Sequence, residues 1–296
     1  MMQRCGYAAL VGRPNVGKST LLNRLVGYKV SAIADKPQTT RYRIEGIVTR
    51  DDHQIVFVDT PGLHRGGKAL LNRVINAQAR AALEEVDVIV WLVEAGRWTE
   101  EDDYVLQLLE RVSQPVILAV NKVDRLRRRE DVLAFIAGIK DKLPFREIVP
   151  VAAQTGENLD RLERVVTDLL PESEFIYPED QITDRPVRFI AAELIREQIM
   201  RLLQEEVPYS VAIEIEGFEE EPQITRISAV ILVERDGQKG IVIGKQGAML
   251  KRIGTAARHS LEDFLDTKVF LKLWVKVSED WQEDQRRLAR LGFDVH

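Results

Sequence analysis

Gly12-Arg-Pro-Asn-Val-Gly-Lys-Ser19 is the stretch that decides the fold of the first half of the chain. The apolar run Tyr7–Val11 before it has the length of a buried strand, and the segment Lys18–Val26 after it has a helical period. Glycines at both ends of the loop let backbone amides close around phosphate, and the N-terminus of the helix adds a positive partial charge. The strand, loop and helix therefore predict a nucleotide-phosphate site in an α/β domain.

Further apolar runs of strand length recur along the first half of the chain, at Ile55–Val58, Val88–Val93, Val116–Val120 and Ile148–Val151. Most of them alternate with segments of helical period, which predict covering helices at Ala69–Leu83, Asp102–Arg111, Val132–Lys142 and Leu159–Leu170. The runs Ile44–Arg50 and Gln54–Val58 flank a short polar turn, as in a hairpin. The pattern predicts a mostly parallel sheet that contains one antiparallel strand.

Side chains suited to phosphate and Mg²⁺ lie on and after the glycine loop. Lys18 can reach the β- and γ-phosphates, and the Ser19 hydroxyl can ligate Mg²⁺. In Asp59-Thr-Pro-Gly62, the carboxylate can hold Mg²⁺ through water while the Gly62 amide contacts the γ-phosphate. Thr40 lies in a loop where its hydroxyl can complete the Mg²⁺ shell only when the γ-phosphate is present. Lys18, Thr40 and Gly62 are the predicted catalytic residues, and Ser19, Thr40 and Asp59 are the predicted metal ligands.

The motif Asn121-Lys-Val-Asp124 stands at the carboxyl end of the buried strand Val116–Val120, where open α/β sheets bind ligands. The Asp124 carboxylate can accept hydrogen bonds from guanine N1–H and from the 2-amino group, whereas adenine offers neither donor. The motif therefore predicts GTP rather than ATP. The complete predicted nucleotide-binding set is Gly12, Asn15, Val16, Gly17, Lys18, Ser19, Thr20, Asp59, Gly62, Asn121, Lys122, Asp124, Ala152 and Ala153.

The order of these motifs, ending in Val151-Ala-Ala-Gln154, resembles the five signatures of the translation-factor-related GTPases. That resemblance implies that the Ala153 amide meets guanine O6, although Ala152 replaces the usual serine and its hydroxyl. Leu63 stands where Ras-like enzymes carry the glutamine that orients the attacking water, which predicts slow intrinsic hydrolysis. Asn15 matches the asparagine that ligates K⁺ in related enzymes, so K⁺ is a second candidate cation.

Composition sets bounds on the whole chain of 296 residues, which carries a formal net charge of −5 and one cysteine, Cys5. The length suits two domains, and a single cysteine favours a reducing compartment, so a cytoplasmic location is expected. No apolar run approaches the roughly 20 residues needed to span a bilayer.

Prolines and acidic residues after Leu170 predict a linker. The predicted divisions are a GTP-binding domain at 1–172, a linker at 173–187, a second domain at 188–280 and a tail at 281–296.

A second glycine loop, Gly244-Lys-Gln-Gly247, lies in the second half between segments of helical period. The basic residues Lys239, Lys245, Lys251, Arg252 and Arg258 cluster around it without an intervening acid. Loop and cluster resemble the KH signature, in which a GxxG loop between two helices clamps the nucleic-acid backbone. The predicted RNA-binding residues are Gly244, Lys245, Gln246, Gly247, Lys251 and Arg252. The apolar residues Ile241, Ile243, Met249 and Ile253 are either core or a wall against bases.

The element order in the second half, α-β-β-α-α-β, resembles the type II KH arrangement of a small α+β domain. The two halves together resemble the Era family of bacterial GTPases, with Pro37-Gln-Thr-Thr-Arg41 and Asp59-Thr-Pro-Gly62 as further matches. The resemblance implies a monomer that binds the 3′ region of 16S rRNA, assists 30S subunit maturation and makes peripheral contact with the inner membrane. Two alternatives stay open: an RNA-binding assembly or chaperone module with GTP as a structural ligand, and a membrane-linked cell-cycle G protein.

Overall fold

The computed structural model describes residues 3–36, 38–63 and 69–293, which form two compact units. The first unit is drawn from Met1–Ser31, Thr40–Gly67 and Ile75–Asp184. The second is drawn from Ala32–Thr39, Lys68–Val74 and Arg185–His296. Two short segments from the first half of the chain therefore belong structurally to the second unit.

A six-stranded sheet of order β2-β3-β1-β4-β5-β6 forms the centre of the first unit. Its strands are β1 (Arg4–Val11), β2 (Ile44–Thr49), β3 (His53–Asp59), β4 (Val88–Glu94), β5 (Val116–Asn121) and β6 (Glu147–Pro150). Only the β2–β3 pair is antiparallel, so the predicted hairpin and the mostly parallel sheet are confirmed. All residues of β3 and β5 are buried, and five of the six residues of β5 are apolar, as expected for a strand covered on both faces.

The helices of this half are α1 (Lys18–Val26), α2 (Leu70–Glu84), α3 (Glu100–Leu109), α4 (Arg129–Ile139) and α5 (Leu159–Leu169). Helix α3 begins two residues before the predicted start at Asp102. The reason is a capping box, in which the Asp102 carboxylate accepts a hydrogen bond from the backbone N–H of Thr99 at 2.9 Å. A residue predicted as the first of the helix is therefore the one that closes its first turn.

The second unit contains α6 (Val187–Leu202), β7 (Ala212–Glu221), β8 (Ile224–Val233), α7 (Asp236–Ile243), α8 (Ala248–Leu265), β9 (Lys268–Val277) and α9 (Gln285–Arg290). The sheet order is β7-β8-β9, antiparallel in the first pair and parallel in the second. One core joins α6, α7 and α8 to one face of this sheet, through residues such as Leu194, Val242, Ile253 and Ile231. The predicted α-β-β-α-α-β order is confirmed.

Backbone conformation ends α6, and long-range hydrogen bonds fix the predicted linker. Helix α6 ends at Leu202 because Leu203 is extended, with a φ of −93° and a ψ of 154°. The stretch predicted as a linker is hydrogen bonded to the first unit: Gln54 Oε1 accepts from the backbone N–H groups of Ile176 and Tyr177, both at 2.9 Å. This stretch therefore has the composition of a linker, but hydrogen bonds to Gln54 of β3 fix the position of its backbone.

The predicted tail packs within the second unit. The Trp281 side chain is fully buried and donates from Nε1 to the Ser210 carbonyl at 3.0 Å. Helix α9 follows, and Asp284 caps it by accepting from the backbone N–H of Arg286 and Arg287. Across the described parts of the chain, no helix combines the length and apolar character that crossing a membrane requires.

Candidate functional site

The loop between β1 and α1 is closely enclosed by its own unit. Gly12 has a φ of 152° and Gly17 a φ of 105°, values that favour glycine. A Cβ at Gly12 would lie 2.6 Å from the Leu92 carbonyl oxygen, and one at Gly17 would lie 2.4 Å from Asn121 Nδ2. Both glycines are thus required by backbone conformation and by space. Val16, also predicted to contact nucleotide, is completely buried.

Lys18 is 6% exposed and lies folded over the same loop. Its Nζ donates to the carbonyl oxygens of Gly12 and Arg13, both at 3.0 Å. Burial lowers the pKa of Lys18 to about 8, although the Asp59 carboxylate opposes that shift. A polyanionic ligand would favour the charged amine, so the buried lysine suits a phosphate site.

The three predicted metal ligands meet at one point. Ser19 Oγ lies 2.7 Å from Thr40 Oγ1 and donates to Asp59 Oδ2 at 2.7 Å. Asp59 Oδ1 is buried and, among the described residues, has no hydrogen-bond partner. Burial raises the pKa of the Asp59 carboxyl. Two hydroxyls and a buried carboxylate with an unsatisfied oxygen form an oxygen-only donor set, which fits Mg²⁺.

Gly62 and Leu63 lie against the same loop. A Cβ at Gly62 would lie 2.9 Å from Pro14, so the backbone approaches as closely as glycine permits. Leu63 donates its backbone N–H to the Gly12 carbonyl at 3.4 Å, and its side chain is 1% exposed in the apolar core. At the position where Ras-like enzymes carry glutamine, this chain therefore has a leucine, Leu63, whose side chain is buried in the core.

The predicted base-recognition motif is tied to the glycine loop. Asn121 is 1% exposed; its Nδ2 donates to the Val16 carbonyl at 2.7 Å, and its Oδ1 accepts from the Ala153 N–H at 3.0 Å. Lys122 Nζ donates to the Asn15 carbonyl at 2.8 Å. Asn121 thus joins three of the predicted segments. Ala153 uses its N–H within the protein here, so its contact with guanine O6 stays a prediction.

The remaining predicted nucleotide contacts differ in exposure. Asp124 is exposed in a short 3₁₀ turn directly after β5, so its carboxylate is accessible to a base. Ala152 is fully buried, and Thr20 lies half-buried in the first turn of α1. The structure thus places the predicted nucleotide contacts at the carboxyl ends of β1, β3, β5 and β6, in the loops that follow them and in the first turn of α1.

The second glycine loop is open, unlike the first. Gly244 has a φ of 71° and Gly247 a φ of 79°, and Gln246 between them also has a positive φ of 53°. A Cβ at Gly244 would lie 2.7 Å from the Met249 Cβ, whereas a Cβ at Gly247 would meet nothing within 4 Å. The loop joins α7 to α8 as a KH clamp requires.

Four predicted RNA-binding side chains, Lys245, Gln246, Lys251 and Arg252, are exposed around this loop. Arg258, counted in the basic cluster of the sequence, is instead paired with Glu262 at 2.7 Å on the next turn of α8. Of the apolar candidates, Ile253 is completely buried, and Ile241 is 51% exposed. Ile253 is therefore core, Ile243 and Met249 are partly buried against that core, and Ile241 exposes about half of its surface.

Comparison with known proteins agrees with both sites. A family model described as 50S ribosome-binding GTPase matches residues 7–122, and a KH domain model matches residues 206–282. The GTPase Era of Pseudomonas fluorescens is 51% identical over 98% of this chain and 97% of its own length. The GTPase Era of Pseudomonas aeruginosa strain LESB58 is 53% identical over 98% of this chain and 95% of its own. This chain belongs to the Era family of GTPases.

Two solved structures of Era proteins share the fold over nearly the whole chain. One is the Aquifex aeolicus Era variant bound to GDP and AlF4−, and the other is an Era in complex with MgGDPNP and nucleotides 1506–1542 of 16S ribosomal RNA. Each is 42% identical, covers 99% of this chain and 100% of its own, and superposes with a TM-score of 0.94. The arrangement described above is therefore an Era fold, and the chain is a GTPase that binds GTP and GDP.

Sequence reasoning missed Ser31 and Asn23 in this Era-family site. Ser31 Oγ donates to Asp59 Oδ2 at 2.9 Å, so the carboxylate accepts a hydrogen bond from a second hydroxyl in addition to that of Ser19. Asn23 Oδ1 accepts from the backbone N–H groups of Val30 and Ser31, both at 2.9 Å, and holds that loop on α1. Neither residue lies in a recognisable motif, so no sequence signal marks them.

A buried ionic network also escaped the sequence analysis. Arg13 is 5% exposed and reaches Glu94 at 2.8 Å and Asp102 at 3.2 Å. Glu94 lies 3.2 Å from Lys122 Nζ, which links the phosphate loop to the base motif. Burial alone would raise the pKa of Glu94, but the hydrogen bond from Arg13 and the charge of Lys122 lower it below its usual range. The network keeps the Era-family phosphate loop in one position.

Within the second unit, α6 holds the segment that directly precedes Thr40 in the chain. The backbone N–H of Ile33 donates to Glu197 Oε2 at 3.0 Å, and Arg201 Nε donates to the Ile33 carbonyl at 3.1 Å. Arg196 donates to the Thr39 carbonyl and pairs with Glu193 through Nε at 2.7 Å. These charged groups of α6 are almost completely buried except for Arg201, so the segment is held by strong, desolvated hydrogen bonds.

Proposed function

We propose that this GTPase is a nucleotide-gated switch that binds 16S rRNA of the small ribosomal subunit and assists maturation of the 30S subunit. Support comes from the 42% identical Era that was solved with a GTP analogue and a segment of 16S rRNA. The open GxxG loop of this chain, with Lys245, Lys251 and Arg252 exposed around it, supplies a matching clamp for an RNA backbone.

Different residues of the first unit have different roles in GTP hydrolysis. Lys18 stabilises negative charge on the β- and γ-phosphates, and the Gly62 N–H donates to the γ-phosphate. Thr40, Ser19 and Asp59 would hold Mg²⁺, which would neutralise phosphate charge when bound. Attack comes from water and needs no side-chain nucleophile. Because Leu63 is buried and apolar, no side chain at that position orients the water, and slow intrinsic turnover follows.

K⁺ is a second proposed cation, with Asn15 as its ligand. Asn15 has a φ of 62° on the phosphate loop, and its carbonyl accepts from Lys122 at 2.8 Å. The proposal predicts faster GTP hydrolysis in KCl than in NaCl at equal ionic strength. Equal rates in the two salts, with and without RNA, would contradict it, and an Asn15→Ala variant should lose any K⁺ dependence.

One observation carries the gating proposal: the chain passes without interruption from Thr39, held by Arg196 in the second unit, to Thr40, which lies 2.7 Å from Ser19 in the first. A displacement of Thr40 on binding or loss of the γ-phosphate would therefore act on the hydrogen bonds that α6 makes to Thr39 and Ile33. Nucleotide state and the second unit are thus linked through one short segment of backbone.

The gating experiment measures affinity for the 3′ region of 16S rRNA in the apo, GDP-bound and GTP-analogue-bound states. Coupling predicts a difference on the order of 5- to 150-fold between nucleotide states. The same factor must then appear in nucleotide affinity when RNA is added, because linkage is reciprocal. Equal RNA affinity in all three states would reject gating while leaving RNA binding and hydrolysis untouched.

A matched pair of double variants locates the coupling. Glu193→Gln/Arg196→Gln removes both charges of the buried pair that holds Thr39, so no unpaired charge remains. Glu147→Gln/Arg161→Gln makes the same change at a half-exposed pair in the first unit. The first variant should bring the ratio of RNA affinities between nucleotide states towards one, and the second should leave it unchanged. Similar ratios in both variants would exclude α6 as the coupling element.

The predicted divisions of the chain at 172, 187 and 280 belong to the same proposal.

A cytoplasmic location with peripheral contact to the inner membrane is also part of the proposal. GTP, ribosomal subunits and a reduced Cys5 thiol all suit the cytoplasm. Fractionation of cells that express the tagged protein tests the location. Recovery with small ribosomal subunits in the soluble fraction is the expected result, and exclusive recovery with membranes would contradict it.

A further inference from the structure

The outer face of the small sheet carries a regular pattern that the KH clamp does not use. Along β9, the residues Val269, Leu271, Leu273, Val275 and Val277 face the core with α8. The intervening positions are Lys268, Phe270, Lys272, Trp274 and Lys276, which share the opposite face because side chains alternate along a strand. The three lysines are exposed, and Phe270 is 52% exposed. We call these five residues the β9 stripe.

On the neighbouring strand β8, Arg226 pairs in register with Phe270, and its guanidinium lies 5.6 Å from the centre of the phenyl ring. The charge of Arg226 is compensated by Glu221, which accepts from Arg226 Nε at 2.8 Å, so the unpaired positive charge of this face comes from the lysines of β9. Lys272 Nζ lies 5.9 Å from the centre of the Trp274 ring. Further along β8, Val230 and Leu232 are each 1% exposed, so the open part of the face lies beside the first half of β9.

Charge divides this sheet sharply between its two edges. On β7, the exposed residues are the acids Glu214, Glu216, Glu219, Glu220 and Glu221. The opposite edge strand, β9, has three lysines and no acid. A polyanion would therefore be attracted to the β9 edge and repelled from β7, on a chain whose net charge is −5.

Protection of a sheet edge explains only part of the stripe. Lysines on edge strands prevent unwanted strand pairing, and β9 is such a strand in the described structure. That role gives no reason for an aromatic ring at Phe270 that is half open to solvent. Aromatic rings interleaved with cations are the composition of single-stranded nucleic-acid surfaces, in which bases stack on the rings and cations neutralise phosphates.

We propose that the β9 stripe is a second RNA-binding surface, which takes single-stranded RNA by stacking a base on Phe270 between Lys268 and Lys272. The stripe faces away from α7 and α8, which carry the GxxG loop on the other side of the sheet. An RNA bound by both surfaces passes around the β9 edge. This inference rests on the proposed RNA-binding function.

The test compares three variants on two RNAs. Lys268→Ala/Phe270→Ala/Lys272→Ala removes two charges and one exposed apolar group from the stripe. Arg129→Ala/Leu133→Ala/Lys140→Ala is the matched control, on exposed residues of α4 and of the position directly after it. Gly247→Asp disables the clamp. The probes are a tetranucleotide, which matches the four nucleotides that a GxxG loop clamps, and a single strand of about sixteen nucleotides from the 3′ end of 16S rRNA.

The stripe variant should bind the longer RNA about ten- to a hundredfold more weakly than the unaltered protein and bind the tetranucleotide equally well. For the longer RNA, the slope of log affinity against log salt should fall by about 1.4, or about 0.7 for each lysine removed. The α4 control should match the unaltered protein on both RNAs. Unchanged binding of the longer RNA, or equal loss of both RNAs, would overturn the second surface.

Single substitutions keep the test independent of any folding defect. Phe270→Tyr retains a ring and should bind the longer RNA normally, whereas Phe270→Leu retains only apolar bulk and should bind it at least about fivefold more weakly. Equal affinity of these two variants would overturn stacking. Vesicles containing phosphatidylglycerol are the lipid probe: loss of vesicle binding with intact RNA binding in the stripe variant would assign the surface to membrane instead.

The outcomes separate this inference from the proposed function. If the unaltered protein binds neither RNA, the proposed RNA-binding function fails, and the second surface fails with it. If the unaltered protein binds both RNAs and Gly247→Asp abolishes tetranucleotide binding, the clamp is established. Unchanged binding of the longer RNA by the stripe variant would then reject the second surface alone.

Discussion

The two glycine loops of this Era-family GTPase have similar composition but are built in opposite ways. Around Gly12–Ser19, neighbouring segments occupy the space beside the glycines, and Lys18 is 6% exposed. At Gly244–Gly247, Lys245 and Gln246 are exposed, the space beside Gly247 is empty, and Gly244 is crowded only by Met249, five residues along the chain. The first loop is held in shape by the surrounding tertiary structure, whereas the second depends on its own backbone conformation. A closed cradle suits a small ligand of fixed geometry, and an open loop suits a long, variable one.

The largest expected effect concerns the enclosed loop. Lys18→Ala should weaken GTP affinity by roughly 30-fold or more, because truncating one member of a buried charge pair costs about 2–5 kcal/mol. Titration calorimetry with GTP measures the loss, and the exposed Lys140→Ala serves as control. If Lys18→Ala bound GTP as tightly as the control did, the cradle would not depend on its buried amine.

The next effect tests how closely Asn121 fits against the loop. Gly17→Ala should lower the free energy of unfolding by about 2–4 kcal/mol. The new Cβ would lie 2.4 Å from Asn121 Nδ2, and the alanine would have to adopt the left-handed backbone conformation of Gly17. Chemical denaturation of the apo protein measures the change. A loss below about 1 kcal/mol would mean that the loop yields easily, which contradicts its description as a closed cradle.

The matching substitution in the open loop sharpens the contrast. Gly247→Ala should cost only about 1–2 kcal/mol of stability, since φ is 79° but no atom lies within 4 Å of the new Cβ. Denaturation of both alanine variants under one set of conditions gives the comparison directly. A cost equal to that of Gly17→Ala would show that conformation, and not enclosure, dominates in both loops.

The smallest expected effect lies at the exposed lysine of the open loop. Lys245→Ala should weaken RNA binding severalfold and lower the salt slope by about 0.7, as expected for one phosphate contact on a single strand. Binding across a series of salt concentrations measures both quantities, and GTP affinity should stay unchanged. An unaltered slope would remove Lys245 from the RNA contact.

Strands and motifs in the first unit could be predicted because their signals are local. Strand β5 is buried along its whole length, so its sequence is apolar nearly throughout, and Asn121 stands at its end. Helix α3 was placed two residues late because Asp102 turns back to cap its first turn, an interaction that helical periodicity does not show. The stretch after Glu172 has the composition of a linker, yet Gln54, more than 120 residues earlier, fixes it.

Long-range partners explain what sequence reasoning could not find in the site. Ser31 reaches Asp59 across 28 residues, and Arg13 reaches Asp102 across 89. Arg258 shows the opposite kind of error. The sequence groups it with the basic residues around the second glycine loop, but in the structure it is paired with Glu262 one turn away. Charge along a sequence indicates which side chains are present, but pairing in the folded chain decides which of them remain available to a ligand.

The sequence by itself determined the phosphate loop, the guanine motif, the parallel sheet and the GxxG clamp, because glycine placement and apolar periodicity act over a few residues. Only the tertiary structure decided that Asn121 closes the loop against Val16 and Ala153 and that Ser19, Thr40 and Asp59 converge. It also decided that Ile33 and Thr39 are held by α6 and that Lys268, Phe270 and Lys272 share an open face. Such contacts join distant parts of the chain, and their partners are selected by packing rather than by local pattern.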